Sequence, residues 1–119
     1  MTNTPEIIEK YDSFVFQSTD YPDSNYAVFG LGGETGEVIE VVKKLHRKYG
    51  NNWSELCDES EENRILDEMG DVLWYLVRIT QLLGRDFSDV MKMNIEKLTQ
   101  RKDKKVRDEI SNPPATSWF

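Results

Sequence analysis

The 119-residue sequence is short of the residues that break helices or cross-link chains: it has 4 prolines, 7 glycines and a single cysteine, Cys57. One cysteine excludes an intrachain disulfide, so packing and hydrogen bonds must hold the fold, and a free thiol is compatible with a reducing cytoplasm. The longest apolar run, Val72 to Val77, falls far short of the roughly 20 residues needed to cross a bilayer. The start, MTNTPEIIEKYD, has no basic segment followed by an apolar block, so no secretory signal is expected. Positive charge is also in deficit, with 15 Lys and Arg against 22 Asp and Glu and a formal net charge of −7. That balance excludes a general nucleic-acid polymer binder, which needs a basic face. It leaves room for a nucleotide held through a divalent cation.

What remains is helix-forming. Charged residues make up 31% of the chain and hydrophobic residues 38%, a soluble globular balance. The length suits one domain that buries roughly two-thirds of its unfolded surface. Thr4-Pro5-Glu6 places a capping residue before a proline at the first helical position and predicts a helix to about Gln17. STDYPDSN, residues 18 to 25, has loop chemistry. A second helix is predicted from about Tyr26 to Tyr49, stopped by Gly50-Asn51-Asn52. The polar connection WSELCDESEEN has room for a turn of helix. A third helix is predicted over roughly Asn63 to Leu83, and a fourth, capped at Asp86-Phe-Ser-Asp89, to about Lys102. No stretch alternates at period two, so the expected fold is all-α, a helical bundle. Residues 1–102 are expected to form the domain and 103–119 a charged, Pro-containing tail, with Trp118-Phe119 as a candidate docking point.

Two pairs of acids sit where apolar residues belong. With Glu34 as the zero of the second helix, Ala27, Leu31, Val38, Val41 and Leu45 fall within about 60° of it, and Glu37 lies about 60° to the other side. Glu40 projects away and is expected to be solvated. On the third helix, with Glu68 as zero, Tyr75, Ile79 and Leu82 lie within about 40° and Asp71 about 60° off. That helix is apolar almost all round, as expected of the most buried member of a bundle. An uncompensated buried charge costs several kcal/mol, so four acids on core faces call for a partner. One such pair is ordinarily solvated or salt-bridged. Two pairs, on helices whose connection lets them pack antiparallel, point to a hard divalent cation with oxygen ligands, Mg²⁺ with Mn²⁺ as a substitute. A di-iron carboxylate bundle also buries acids, but it needs two Glu-x-x-His motifs, and the sole histidine, His46, follows neither pair.

The fourth helix adds MNIEKLTQRK. Relative to Asn94, the residues Phe87, Val90, Leu98 and Arg101 fall within about 40° and Lys97 about 60° off, which directs an amide and two cations toward the bundle. They read either as a snorkelling basic edge or as partners for the outer phosphates of a ligand. Phe14, Phe16, Tyr26 and Trp74 are candidates to stack on a base, although such residues are more often core.

With these residues in hand, the sequence resembles the MazG-like members of the all-α nucleoside triphosphate pyrophosphohydrolase superfamily, marked by ExxE, a variable spacer and ExxD. Here they are Glu34-Thr-Gly-Glu37 and Glu68-Met-Gly-Asp71. YDSFVFQSTDYP, GLGGETGEV, DEMGDVLWYL and NIEKLTQR extend the likeness over roughly residues 10 to 102. After Arg101 the chain departs from the pattern, continuing KDKKVRDEISNPPATSWF. The resemblance implies a four- to five-helix bundle assembled as a homodimer or homotetramer, often with sites completed across subunits. It implies a Mg²⁺-dependent cytoplasmic enzyme that cleaves a (deoxy)nucleoside triphosphate to the monophosphate and pyrophosphate, for house-cleaning or control of nucleotide pools. It further implies that Glu34, Glu37, Glu68 and Asp71 ligate metal and form the catalytic set, that Tyr75 contacts substrate, that Lys97 and Arg101 bind phosphate and that Asn94 orients the ligand. Any of the four carboxylates, Glu37 among them, is a candidate to accept the water proton. The alternatives are a catalytically silent nucleotide-binding or assembly module and, within the enzymes, a phosphoribosyl-ATP pyrophosphohydrolase.

Overall fold

The computed structural model describes residues 6–20 and 24–111, which are helical almost throughout, with no strand among them. Helix α1 spans Glu6–Ser18, α2 Ser24–Tyr49, α3 Trp53–Leu56, α4 Glu59–Leu82 and α5 Phe87–Ser111, with a 3₁₀ turn at Gly50–Asn52 between α2 and α3. The single turn α3 is the helical turn anticipated in the acidic connection. The expected cap at Thr4, the loop proline Pro22 and the Trp118-Phe119 docking point lie outside the described residues.

Local chemistry explains where the helices stop and start. Gly84 has φ 71°, a left-handed conformation that a side chain resists, and it closes α4. Its N–H donates to the Gln81 carbonyl at 2.9 Å, and Arg85 N–H donates to the Thr80 carbonyl at 3.2 Å. Helix α4 begins earlier than Asn63 because Asp58 and Glu61 form a capping box. The Asp58 carboxylate accepts from Glu61 N–H at 2.8 Å, and the Glu61 carboxylate accepts from Asp58 N–H at 3.0 Å. The first N–H of α5 is capped from another helix: Phe87 N–H donates to the Asp12 carboxylate at 3.1 Å.

Helices α2 and α4 form the main pair. Tyr49 meets Glu61 near one end and Gly30 meets the Tyr75 ring toward the other, which is the register of an antiparallel hairpin. Val41, Leu45 and Cys57 are buried in its closed end, with Tyr49, Trp53 and Ile65 packed around them. Helix α1 lies against the C-terminal half of α4. There Val15 and Val77 are fully buried, Trp74 Nε1 donates to Ser18 Oγ at 3.1 Å, and Gln81 Nε2 donates to the Asp12 carbonyl at 2.7 Å.

Two expectations about burial need correction within one chain. Helix α4 is not enclosed all round: Leu66, Met69, Leu73 and Leu76 stay exposed, because α1 and α2 pack on its other faces. The face of α5 expected to meet the bundle does not do so. From Met91 to Ser111 every residue is exposed, including Asn94, Lys97, Leu98 and Arg101, and the helix continues past Lys102. The radius of gyration, 18.8 Å, reflects this projecting helix; a compact chain of this length would have about 13.5 Å.

The α2–α4 hairpin carries a pH-dependent clasp. Glu61 accepts from Tyr49 OH at 2.6 Å and from Lys48 Nζ at 3.1 Å. The Tyr49 hydrogen bond, then the Asp58 N–H and Lys48, hold its carboxyl at about 2 against an ordinary 4.5. A carboxyl depressed on folding stabilises above its ordinary value and loses that contribution as pH falls toward the folded one. Glu61→Gln should therefore lower Tm at neutral pH, and the gap from wild type should close between pH 4.5 and 2. Thermal melts across that range check this; a gap independent of pH would show that the charge is not what stabilises the clasp.

Candidate functional site

The antiparallel register sets the Glu34 turn of α2 across from the Asp71 turn of α4. One carboxylate oxygen each from Glu34, Glu68 and Asp71 lies within 4.8 Å of the others. Glu34 and Glu68 are half-buried and Asp71 is exposed, so the group forms an acidic seam opening to solvent at one side. Desolvation pushes the Glu34 carboxyl above its ordinary range, and the charges of Asp71, Glu68 and Glu37 push it the same way. The basic group paired with the cluster is Arg64, whose Nε stands 3.7 Å from Glu68 Oε1. Three hard oxygen donors crowded by mutual repulsion are a donor set suited to Mg²⁺ or Mn²⁺, so the residues present fit such an ion.

The other expected site residues are distributed unevenly. Glu37 lies outside the three-carboxylate group. It lines a groove between α2 and α4 with Val41, Lys44, Leu45 and Arg64, close enough for its charge to act on Glu34. Tyr75 is at the site: it lines a pocket of about 310 Å³ with Glu34 and Asp71, together with Ser18, Asp20, Tyr26 and Trp74. Asn94, Lys97 and Arg101 are on the projecting α5, and no described residue of that helix lines this pocket. Glu40 is solvated, as expected, beside Lys43 at 3.7 Å.

Of the aromatics considered for base stacking, Tyr26 and Trp74 line the pocket with the acids, whereas Phe16 lines a different groove, near Asp12. The Tyr26 and Tyr75 rings lie 6.4 Å apart and tilted, and Trp74 meets Tyr75 edge-on at 5.1 Å, so together they make an aromatic wall. Sequence reasoning missed Tyr11, Ser18 and Asp20. The Tyr11 hydroxyl makes a long hydrogen bond, 3.5 Å, to the Gly70 carbonyl, and burial followed by the charge of Asp71 raises its pKa. These residues reach the site through the packing of α1 on α4, and periodicity within one helix carries no signal of that.

A family model described as the MazG nucleotide pyrophosphohydrolase domain matches residues 26–106. The chain belongs to this family. The MazG match takes in both acid pairs, Tyr75 and α5 as far as Val106. The Gene 37 protein of Mycobacterium phage L5 is similar to this MazG chain, 33% identical over 82 residues that make up 69% of the chain and 68% of that protein. No solved structure matches significantly. MazG proteins are in general nucleotide pyrophosphohydrolases and are typically metal-dependent.

The site depends on one glycine. A Cβ built on Gly30 would overlap the Tyr75 ring, so only a bare backbone lets the ring lie against α2 one turn before Glu34. Gly→Ala inside a helix ordinarily stabilises by about 0.5–1 kcal/mol. Gly30→Ala should instead destabilise by about 1–3 kcal/mol through overpacking, and adding Tyr75→Leu should recover most of the loss. Denaturant melts of the two variants check this; a stabilised Gly30→Ala would show that the ring is not seated there.

Proposed function

We propose that the protein is a Mg²⁺-dependent nucleoside triphosphate pyrophosphohydrolase that converts (deoxy)nucleoside triphosphates to monophosphates and pyrophosphate, in house-cleaning or control of cytoplasmic nucleotide pools. The observation that carries this reading is the meeting of Glu34, Glu68 and Asp71 within 4.8 Å, beside an aromatic-walled pocket. These three side chains would hold the ion, which when bound neutralises phosphate oxygens and positions a water for in-line attack. Glu37, whose charge acts on Glu34, would accept the water proton. Tyr26, Trp74 and Tyr75 orient the nucleoside end of the substrate, so the polyphosphate runs toward the carboxylates. We assign the activity to residues 1–102, with 103–119 as an appendage.

The same reading includes a second copy of the chain, as a dimer or tetramer. The apolar residues Ile95 and Leu98 of α5, and Leu66, Met69 and Leu73 of α4, are exposed and uncovered by the described residues. Pairing would bury them and offer Lys97, Arg101 and Asn94 to the partner's acids, where cations and an amide can bind the outer phosphates.

Pyrophosphate release from a mixed nucleotide pool should require Mg²⁺. Glu68→Gln should reduce it by about 100-fold or more while leaving the helical circular dichroism intact. Undiminished turnover in that variant would overturn the assignment, and nucleotide binding without any turnover in wild type would favour a silent binding module. Sedimentation should give a mass of at least twice 13.9 kDa. Leu98→Glu should yield monomers with weakened phosphate binding, whereas a monomeric wild type with full activity would remove the second copy from the scheme.

A further inference from the structure

The pocket that Glu34 and Asp71 line has one further carboxylate, which the metal reading does not use. Asp20, on the connection between α1 and α2, is among the residues that line it. It has no hydrogen-bond or ion-pair partner among the described residues. Two of its polar neighbours are already committed. The Trp74 indole N–H goes to Ser18 Oγ at 3.1 Å, and the Ser18 hydroxyl goes to the Val15 carbonyl at 3.1 Å. The aromatic wall supplies a stacking surface that every nucleobase satisfies equally, so it orients a base without choosing among bases. A carboxylate does choose. It accepts hydrogen bonds and donates none, so it pairs with an N–H edge and repels a carbonyl oxygen placed at the same point.

We propose that Asp20 is a specificity-determining residue that selects nucleobases carrying an exocyclic amine over those carrying a carbonyl at the same ring position. Cytosine is thereby favoured over uracil, and adenine over hypoxanthine. The inference rests on the nucleotide reading of the site and adds the chemical class of base to it. Discrimination by a hydrogen-bonding group at a base edge is worth about tenfold or more, because the rejected base leaves an acceptor facing an acceptor.

The test measures binding directly, so that it does not depend on turnover. The full chain with Mg²⁺ is titrated calorimetrically with the α,β-imido analogues of dCTP and dUTP, as wild type and as Asp20→Asn. An asparagine amide donates as well as accepts. Wild type should bind the cytosine compound about tenfold more tightly, and Asp20→Asn should shrink or invert that ratio while leaving the circular dichroism unchanged. Equal binding of the two analogues by wild type, or a ratio untouched by Asp20→Asn, would overturn the proposal. An intact amine preference in a protein that hydrolyses no triphosphate would defeat the hydrolase reading and leave this one standing. Failure of both analogues to bind would defeat both.

Discussion

Like charges that must stay close are the constraint on which this structure depends. Glu34, Glu68 and Asp71 repel one another across the α2–α4 seam, and Glu37 adds to the repulsion. The two helices are fastened on either side of this repulsion. At the closed end, the Tyr49–Glu61–Lys48 clasp, the capping box and the cluster of Val41, Leu45 and Cys57 hold the hairpin shut. Toward the open end, the Tyr75 ring rests on the bare backbone of Gly30. Packing energy on both sides thus holds in place a concentration of negative charge that a divalent ion would relieve.

Helix α1 and the start of α5 serve the same seam indirectly. Asp12 accepts from Gln81 of α4 and from the first N–H of α5, so one residue fixes three helices at the end remote from the clasp. Through that anchorage α1 sets Tyr11 beside Asp71 and Ser18 against Trp74. The nucleoside pocket is therefore a product of helix packing, with walls from α1, α2, α4 and the α1–α2 connection. The remaining length of α5 has no such anchorage and leaves the body of the chain. A 25-residue amphipathic helix so rich in charged side chains gains its stability from burying its apolar stripe, and among the described residues none covers that stripe beyond Val90. The outward Leu66, Met69 and Leu73 of α4 lack cover in the same way, and this shared deficit makes a second copy part of the functional proposal.

Much of the fold was legible because helices announce themselves locally. The 3.6-residue period put Ala27, Val41 and Leu45 on one face of α2, and all three are buried in the structure. Gly50 and Gly84 marked helix ends where the backbone is left-handed. The early start of α4 was also readable, since Asp58-Glu-Ser-Glu61 has the spacing of a capping box, but its acidic composition made it look like a linker. The reading of Val90 and Leu98 as a core face, continuing from the half-buried Phe87, was sound in its periodicity. It went astray because amphipathicity identifies an apolar stripe and is silent about which molecule covers it.

The sequence by itself determined the helices, the family, and the presence of two acid pairs on faces that ought to be apolar, because each follows from spacing along a single helix. Only the tertiary structure decided that three of those acids converge while Glu37 stands at the edge, that Tyr26 and Trp74 join them in one pocket while Phe16 does not, and that Asp20 and Tyr11 belong to the same neighbourhood. Those outcomes depend on the register between helices and on a ring seated against one glycine. Such contacts join residues far apart in the sequence, as Tyr11 meets Gly70 and Ser18 meets Trp74, and no local pattern records them.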